Sequence, residues 1–447
     1  MEEKKDYSTT LNLPQTEFQM RGNLPSKEPD LLKRMKEDKV YELALEKNKP
    51  TGKTFILHDG PPYANGDIHM GHALNKVLKD IIIRYKTMNG FYSPYIPGWD
   101  THGLPIEKKV QQVKKITKDD VGIAKFREIC KEFALEAVEN QAKQFERLGG
   151  VGDYQDKSKR YVTLTHDFEA KQLEVFGKMY EKGYIYRDLK PVYWCTDCET
   201  ALAEAEIEYQ DDTSTSIYVK FRVKEDKGLL SPYGDLNDTY FVIWTTTPWT
   251  LPGNQAITLN PEFMYALVEA KLEDKVERYI VAKELVDTVM GIGNIQEYQV
   301  LAELKGEALE NILCVSPVIE NKTSRVILGS DKDLIVTLDA GTGCVHTAPG
   351  HGHEDYLCCK RYKDIEIIVP VDKHGKMTEE AGRFAGMFYA KANKEIIAFL
   401  EETKALFAAK DLTHQYPHCW RCKKPVIYRA TTQWFASVDG FRQKTLE

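Results

Sequence analysis

The order of apolar runs and loops near the amino terminus fits few folds. Thr54–His58 is a short apolar run, and a loop rich in glycine, proline and asparagine follows at Asp59–Gly66. Met70–Asn89 then shows helical periodicity, and Tyr92–Ile96 is a second apolar run. Strand, loop, helix and strand in this order are typical of a βαβ unit, so the sequence predicts a parallel sheet. We expect the apolar stripe of the helix to be buried. Its residues are Leu74, Val77, Leu78, Ile81, Ile82 and Tyr85.

The middle of the chain has a different residue pattern, which favours strands. Apolar and polar residues alternate from Ile217 to Val223, as in a half-buried strand. The further strand candidates are Tyr240–Thr246, Leu334–Leu338, Glu366–Val371 and Val426–Arg429. The pattern predicts an α/β domain that is interrupted by a mainly β domain. The predicted parts are an amino-terminal extension over 1–48 with a helix over 30–48, the first half of the α/β domain over 49–190 with a long helix over 119–148, the insert over 191–424, and the resumed α/β domain over 425–447.

Charge and hydropathy limit the classes of partner. No apolar run approaches the roughly 20 residues that a membrane helix needs. The charged start, Met1–Asp6, lacks the apolar core of a secretory signal. We therefore expect a cytoplasmic protein with no membrane partner, and a monomer. The net charge of −7 gives no overall attraction to nucleic acid, although a local basic face can still bind phosphates.

Two histidines stand at the predicted start of the helix, in His69-Met-Gly-His72. Side chains three residues apart share one face of a helix, and the amides at a helix N-terminus favour anions. Gly71 would let a ligand approach the backbone closely. The pattern suits a triphosphate site in which the imidazoles stabilise charge on a departing pyrophosphate. Two histidines at this spacing are equally compatible with surface or metal-binding side chains.

The residues around this pair resemble a known family. His58-Asp-Gly-Pro-Pro-Tyr-Ala-Asn-Gly-Asp-Ile-His-Met-Gly-His-Ala-Leu-Asn-Lys76 resembles the HIGH signature region of class I aminoacyl-tRNA synthetases. Gly98-Trp-Asp-Thr-His-Gly-Leu-Pro-Ile-Glu107 resembles their second signature block, and both runs are more similar to isoleucyl than to valyl or leucyl enzymes. The resemblance implies a Rossmann-like parallel sheet. It also implies a ligase that activates isoleucine with ATP and Mg²⁺ and transfers it to tRNA(Ile).

The resemblance also implies roles at the synthetic site. Five residues would bind ATP, the two histidines as the catalytic pair: Asn65, Gly66, His69, Gly71 and His72. Asp100 would hold the ammonium group of the amino acid. Gly60 and Pro61 would line the amino-acid pocket, and Trp434 would wall its apolar side. Judged without the resemblance, Pro61 is better explained as a turn residue and Trp434 as a core residue.

A second, hydrolytic site is expected from the chemistry of the substrates. Isoleucine and valine differ by one methylene group, which an apolar pocket discriminates by only about 1–3 kcal/mol, a limit for which isoleucyl enzymes are themselves the standard example. Trp244–Asn254 and Gly341–Asp355 both resemble the editing site of isoleucyl, valyl and leucyl synthetases. By that resemblance Asp355 would bind the ammonium group of mischarged Val-tRNA(Ile), and His346 would lie beside the terminal ribose. Hydroxyl and amide groups would hold the substrate and an attacking water: Thr245, Thr246, Thr247 and Asn254.

Other interpretations of these two segments stay open. The sequence shows no serine or cysteine nucleophile motif, so direct attack by water is the simpler hypothesis. A run of threonines is also typical of an ordinary strand. The histidines and acidic residues of the second segment could instead bind a metal, although their spacing is irregular. These are His346, His351, His353, Glu354 and Asp355.

Two Cys-x-x-Cys pairs, Cys195–Cys198 and Cys419–Cys422, suggest a zinc site with four thiolate ligands. More than 200 residues separate the pairs, as expected if they lie on the two stalks of the inserted domain. Zinc would then clamp the entry and the exit of that domain together. Reduced cysteines without metal are the alternative.

The printed chain ends at Glu447 and contains no Lys-Met-Ser-Lys-Ser loop, which the resemblance places in the second half of the nucleotide-binding fold. We therefore expect these residues to be incomplete for ligation and poor in pyrophosphate exchange, but to retain deacylation. The alternative classes are a free-standing editing hydrolase or tRNA-binding fragment, and a valyl- or leucyl-tRNA synthetase.

Overall fold

The computed structural model describes residues 7–14, 16–17, 22–273, 275–329 and 336–447. The chain divides into two compact units, Met1–Gly183 and Tyr184–Glu447, hereafter the first and second units. Helices dominate the first unit and strands the second, which confirms the predicted α/β class with a mainly β part. Within the described residues, no helix is both long enough and apolar enough to cross a membrane.

The first unit packs its helices around a short parallel strand pair. The helices are α1 (Leu24–Glu37), α2 (Val40–Asn48), α3 (Met70–Met88), α4 (Leu104–Lys114), α5 (Lys118–Val121), α6 (Ile123–Arg147) and α7 (His166–Glu181). The strands β1 (Gly98–Trp99) and β2 (Tyr161–Val162) pair in parallel. Buried side chains from α3, β1, α4 and α6 meet in the core, among them Ile83, Trp99, Ile106, Val138 and Phe145.

The helix predicted over 70–89 is confirmed as α3, but the prediction about its buried face is wrong. Gly90, with a φ of 82°, follows the helix as its left-handed end. The residues that α3 buries are Lys76 and Ile83. Helical periodicity identifies an apolar face but not the surface that covers it, and this face stays open in the described part of the chain. All six stripe residues are exposed, by between 41% and 64%: Leu74, Val77, Leu78, Ile81, Ile82 and Tyr85.

The two strands predicted beside α3, over 54–58 and 92–96, are reduced to a single parallel bridge between Thr54 and Tyr92. The second of these segments contains a proline, and another follows it. Proline cannot donate a hydrogen bond to a ladder, which explains why no regular pairing forms there. The two segments are parallel, as the βαβ prediction requires. In the first unit, the parallel ladder that does form is the one between β1 and β2.

Two other predicted helices are each divided. The helix predicted over 30–48 separates into α1 and α2 at Lys39, whose φ is 50°. The helix predicted over 119–148 separates into α5 and α6 at Gly122, whose φ is 79°. A residue with left-handed backbone cannot continue a right-handed helix, so each break is set by one local torsion angle.

The second unit is built on a large mixed sheet. The strands of the second unit are β3 (Ile185–Cys195), β4 (Thr200–Leu202), β5 (Ile207–Glu225), β6 (Thr239–Thr245), β7 (Ala256–Leu259), β8 (Met264–Lys271), β9 (Val276–Ala282), β10 (Tyr298–Lys305), β11 (Leu313–Val315), β12 (Thr323–Leu328), β13 (Val345–Thr347), β14 (Leu406–Cys419) and β15 (Ile427–Ala436). Its helices are α8 (Val286–Ile292), α9 (His353–Cys359), α10 (Tyr389–Glu402) and α11 (Arg442–Leu446). The sheet order is β10-β8-β9-β6-β13-β7-β12-β11-β5-β14, and a further pairing of β5 with β6 closes the middle of the sheet on itself.

The strand predictions for this unit have mixed outcomes. Those at Ile217–Val223 and Tyr240–Thr246 are confirmed within β5 and as β6. The strand predicted over Glu366–Val371 is wrong, because this segment makes one isolated bridge, at Val371, and the proline before that residue cannot donate. The prediction at Leu334–Leu338 lies partly outside the described residues.

The strand predicted near Val426–Arg429 is confirmed as β15. It pairs antiparallel with β3 along its whole length, so that Ala436 lies opposite Ile185 at one end. With β4 these two strands form a separate three-stranded sheet. The compact units divide at Gly183, and the limits predicted for the inserted domain stay predictions.

Candidate functional site

The start of α3 brings the two candidate catalytic histidines together. His69 is the N-cap residue; its Nδ1 accepts from the His72 amide and His72 Nδ1 accepts from the His69 amide, each at 3.4 Å. The rings stack with their centroids 3.7 Å apart. Because both Nδ1 atoms accept, each neutral ring carries its proton on Nε2 and can donate to an anion. Burial, His69 and Lys76 hold the pKa of His72 below its usual value. A side chain at Gly71 would come within 3.1 Å of the His69 ring, so glycine leaves room for that ring at the start of the helix.

The loop before α3 is held by the long helix α6. Gln141 is fully buried and donates to the carbonyl groups of Tyr63 at 3.1 Å and Gly66 at 2.8 Å. Its Oε1 accepts from Trp99 Nε1 at 3.1 Å. Asn65 and Gly66, the candidate ATP-binding residues of this loop, are half-buried. One amide side chain thus fixes the loop to both β1 and α6.

Sequence reasoning missed Asp59, which links the segments of this site. Its carboxylate is fully buried and bonds Lys76 Nζ, Lys79 Nζ at 2.8 Å and the Gly98 amide at 3.1 Å. Burial alone would raise the pKa of Asp59, but the two ammonium groups and the amide hold it below its usual value. The available signal was the spacing of Lys76 and Lys79, which share one face of α3.

Asp100, the candidate ligand for the ammonium group of the amino acid, forms a parallel bridge with Tyr63. The Asp100 amide donates to the Pro62 carbonyl, and the Ala64 amide donates to the Asp100 carbonyl, both at 2.9 Å. Gly60 and Pro61 directly precede the first of these contacts. The backbone of Asp100 is therefore tied to the turn that would line the amino-acid pocket.

Trp434 lies in the second unit, on β15. It is 52% exposed, and the guanidinium carbon of Arg187 lies 5.5 Å from its ring centroid. At this exposure Trp434 is not a buried core residue of the second unit.

In the second unit, a pocket of about 280 Å³ opens where β6 and β13 end. The two strands are parallel neighbours, with Val345 opposite Trp244, so residues about 100 positions apart meet there. Both segments that the sequence analysis identified contribute to the pocket wall. The predicted residues that line it are Thr245, Thr246, Thr247, His346 and Asp355.

His346 is the centre of a buried hydrogen-bond network behind the pocket wall. The Asn254 side-chain nitrogen donates to His346 Nδ1 at 2.8 Å and to the Ala256 carbonyl at 2.9 Å. His346 therefore carries its proton on Nε2, which lies 2.9 Å from Thr250 Oγ1. Thr250 in turn donates to the Thr247 carbonyl at 2.8 Å. Burial, with a smaller contribution from the positive charge of Lys322, lowers the pKa of His346 to about 3, so the ring stays neutral. Sequence reasoning missed Thr250, although it lies inside the first segment.

Asp355 stands in the first turn of α9 and faces the pocket. Its Oδ2 accepts from the Ala348 amide at 2.8 Å. Gly352 leaves the necessary room, because a side chain there would come within 2.7 Å of the carboxyl carbon. Burial raises the pKa of Asp355 to about 7. A bound cation would favour the charged form, so the carboxylate is suited to an ammonium group.

Four thiols converge where β3 and β14 end. Cys195 is the last residue of β3 and Cys419 the last of β14, and each begins a turn to its partner, Cys198 or Cys422. The four Sγ atoms all lie within 4.8 Å of one another, with 3.5 Å between those of Cys195 and Cys422. Tetrahedral zinc, with zinc–sulfur bonds of about 2.3 Å, separates its ligands by about 3.8 Å, so this donor set fits the metal. Among the described residues this is the one group that gathers three or more candidate ligands, and the histidines of Gly341–Asp355 do not form another.

Comparison with known proteins places the chain in a family. Residues 30–447 match the family described as tRNA synthetases class I (I, L, M and V). The isoleucine–tRNA ligase of Caldicellulosiruptor bescii is 57% identical over 444 residues, which are 99% of this chain and 47% of the relative. The isoleucine–tRNA ligase of Thermoanaerobacter sp. is 55% identical over 443 residues, which are 99% of this chain and 46% of the relative. The chain thus spans about half the length of the curated relatives it matches.

Among solved structures, the ternary complex of Agrobacterium radiobacter K84 agnB2 LeuRS with tRNA and LeuAMS is similar over 91% of this chain and 52% of that chain, with a TM-score of 0.36 and 17% identity. That structural similarity is too weak to support an assignment. The family is assigned from the sequence match, which covers nearly all of the chain. The chain belongs to the class I tRNA synthetases of the group designated I, L, M and V.

Proposed function

We propose that this chain is the part of an isoleucine–tRNA ligase that contributes to isoleucine activation and edits mischarged tRNA. Activation joins isoleucine to the α-phosphate of ATP and releases pyrophosphate, and the second step transfers isoleucine to tRNA(Ile). Two observations support activation: the identity of 57% to a relative of that name, and the paired imidazoles of His69 and His72 at the start of α3. Nε2–H donors at a helix N-terminus stabilise negative charge on a leaving group. Mg²⁺ would accompany the ATP phosphates.

The remaining groups of the first unit would bind substrate. Asp100 would hold the ammonium group of isoleucine, with Gly60 and Pro61 beside it. Asn65 and Gly66 would lie along ATP, on the loop that Gln141 fixes from behind. The role of the tryptophan on β15 stays a prediction.

The observation that carries the editing activity is the pocket between β6 and β13. Its lining includes a carboxyl group, that of Asp355, and the hydroxyl-bearing residues Thr245–Thr247. Asp355 would hold the ammonium group of valine on tRNA, while the hydroxyl groups hold the ester and a water. Water would add its oxygen to the ester carbonyl carbon, the bond from that carbon to the ribose oxygen would break, and a proton from the water would pass to the ribose oxygen, releasing valine and tRNA. Both ring nitrogens of His346 are engaged by protein groups, so this side chain would orient its neighbours rather than accept the proton.

The cysteine cluster would hold zinc as a structural ion. Its four sulfur atoms are close enough for a shared tetrahedral ion, and three of the thiols are buried. Zinc would join the end of β3 to the end of β14 by covalent coordination. A structural four-thiolate site is closed to substrate, so zinc is given no role in hydrolysis.

Deacylation of Val-tRNA(Ile) by the 447-residue chain tests the editing activity. We expect hydrolysis of Val-tRNA(Ile) and much slower hydrolysis of Ile-tRNA(Ile), and the matched control is Asp355→Asn. Equal hydrolysis of Val-tRNA(Ile) and Ile-tRNA(Ile) would refute the proposal that this pocket edits mischarged tRNA.

Pyrophosphate exchange by the whole ligase tests activation, with isoleucine, valine and leucine compared. Exchange that is strongest with isoleucine supports the assignment. A preference for valine or leucine would favour those enzymes instead. Deacylation without any amino-acid-dependent exchange would favour a free-standing editing hydrolase.

A further inference from the structure

His351 is a buried histidine of the editing pocket to which the proposed hydrolysis gives no role. It lies on the turn between β13 and α9, is 8% exposed, and lines the pocket. Its Nδ1 is 2.8 Å from the carbonyl oxygen of Tyr428 on β15. A carbonyl group can only accept, so Nδ1 carries the proton and donates. Burial lowers the pKa of His351 to about 4, which keeps the ring neutral with this single tautomer.

This hydrogen bond and a second one attach the turn to β15. The Ala430 amide donates to the Gly350 carbonyl at 2.7 Å, next to the His351 contact with Tyr428. The ring of Trp249 meets the imidazole edge-on, with centroids 4.8 Å apart, and limits its rotation. The turn is therefore held at two adjacent points of a strand that is itself paired along its length with β3.

From this turn a short chain of contacts leads to Asp355. The His351 amide donates to the Ala348 carbonyl at 2.8 Å. The Ala348 amide donates to Asp355 Oδ2 at 2.8 Å. The side chain of His351 thus fixes the backbone segment whose amide orients the carboxylate.

We propose that His351 is a positioning residue for editing: by donating from Nδ1 to β15 it holds the Ala348–His351 turn, and through the turn it aims Asp355 at the ammonium group of the mischarged amino acid. The inference rests on the proposed editing function. It differs from a packing role because it predicts which chemical group of the substrate the enzyme stops recognising when His351 is changed. It also assigns the effect to Nδ1 rather than to Nε2.

The experiment compares deacylation of Val-tRNA(Ile) and N-acetyl-Val-tRNA(Ile) by the 447-residue chain. The acetylated substrate has no ammonium group, so the ratio of the two kcat/KM values measures recognition of that group. We expect His351→Leu to reduce this ratio by about tenfold, chiefly through KM for Val-tRNA(Ile), as the loss of a hydrogen bond to a charged group would. His353→Leu is the matched control, since His353 is exposed and two residues away.

Two conservative variants separate the nitrogens of the ring. The amide nitrogen of asparagine can take the place of Nδ1, and that of glutamine the place of Nε2. We expect His351→Asn to keep the substrate ratio and His351→Gln to lose it. The opposite order would overturn the proposal, because it would show that Nε2 makes the important contact. These two variants carry the test if His351→Leu fails to fold, which its thermal unfolding curve shows.

A final comparison links the effect to Asp355. Asp355→Asn by itself should lower the ratio of the two kcat/KM values. Adding His351→Leu to it should lower the ratio no further, because both changes remove the same recognition of the ammonium group. An unchanged ratio in His351→Leu, with both substrates slowed equally, would refute positioning while leaving editing intact. A wild-type chain that hydrolyses neither substrate would overturn the editing proposal and this one together.

Discussion

Replacing Asp59 by alanine is expected to destabilise the first unit strongly. The carboxylate is fully buried and accepts from Lys76, Lys79 and the Gly98 amide. Without it the ammonium group of Lys76, on a side chain only 5% exposed, loses its anionic partner. Removal of one partner from a buried ion pair costs about 3–5 kcal/mol. For a unit of this size that free energy corresponds to a fall of about 6–20 °C in the unfolding temperature.

Scanning calorimetry measures this change, and hydrogen exchange along α3 assigns it to the first unit. Asp67→Ala is the matched control, because Asp67 is an exposed carboxylate that accepts from Asn140 and Gln144 at 2.6 and 2.7 Å. It should change the unfolding temperature little. Adding Lys76→Met to Asp59→Ala should restore much of the loss, since that ammonium group is then gone. Equal destabilisation by Asp59→Ala and Asp67→Ala would refute the reasoning.

The same contacts give the effect a definite pH dependence. Burial would raise the pKa of Asp59, but Lys76, Lys79 and the Gly98 amide together hold it below its usual value. A carboxyl group whose pKa is lowered by folding contributes stability above its unfolded pKa, which is about 3.9. That stability is lost as the pH falls through the lower folded pKa. The difference between wild type and Asp59→Ala should be constant above about pH 5 and should shrink in stronger acid.

Three further results are expected. The chain prepared without chelator should contain one zinc ion per molecule by plasma mass spectrometry; Cys198→Ser should lose most of it while Cys130→Ser keeps it, and equal zinc contents would exclude the site. Burial raises the folded pKa of Asp355 to about 7, so ionisation of this group opposes folding increasingly as the pH rises from about 4 to 7. Asp355→Asn should therefore raise the unfolding temperature at pH 8 but not at pH 4, and the same rise at both values would exclude this cause. Thr250→Val should leave the His346 Nε2–H without its acceptor and lower the free energy of unfolding by about 1–3 kcal/mol in urea, so an unchanged midpoint would show that the bond contributes nothing.

Local signals in the sequence located elements but not what surrounds them. The helix α3 could be predicted because its apolar period and the glycine after it are local features. The exposure of Leu74 could not, because it depends on which surfaces meet that face in the folded chain. The break at Lys39 could not be predicted either, since a lysine has no intrinsic preference for a φ of 50°.

The candidate sites show the same division. The resemblance to synthetase motifs identified residues around the pocket proposed for editing, whereas no rule of spacing predicts that β6 and β13 are neighbours. The role of Thr250 depends on the tautomer of His346, which only the contact with Asn254 reveals. The spacing of Lys76 and Lys79 shows that they share a face of α3, but only the tertiary structure shows that Asp59 is buried against both of them.

In the pocket proposed for editing, burial leaves one group that titrates near neutral pH. The pKa values of His346 and His351 are lowered to about 3 and about 4, so both rings keep one tautomer and one set of contacts throughout the neutral range. Asp355 differs, because burial raises its pKa to about 7. If its charged form binds the ammonium group, deacylation should rise as the pH passes through about 7, and the rise should vanish in Asp355→Asn. A rise that persists in Asp355→Asn would mean that another group titrates during hydrolysis, and the assignment of the ammonium site to Asp355 would then fail.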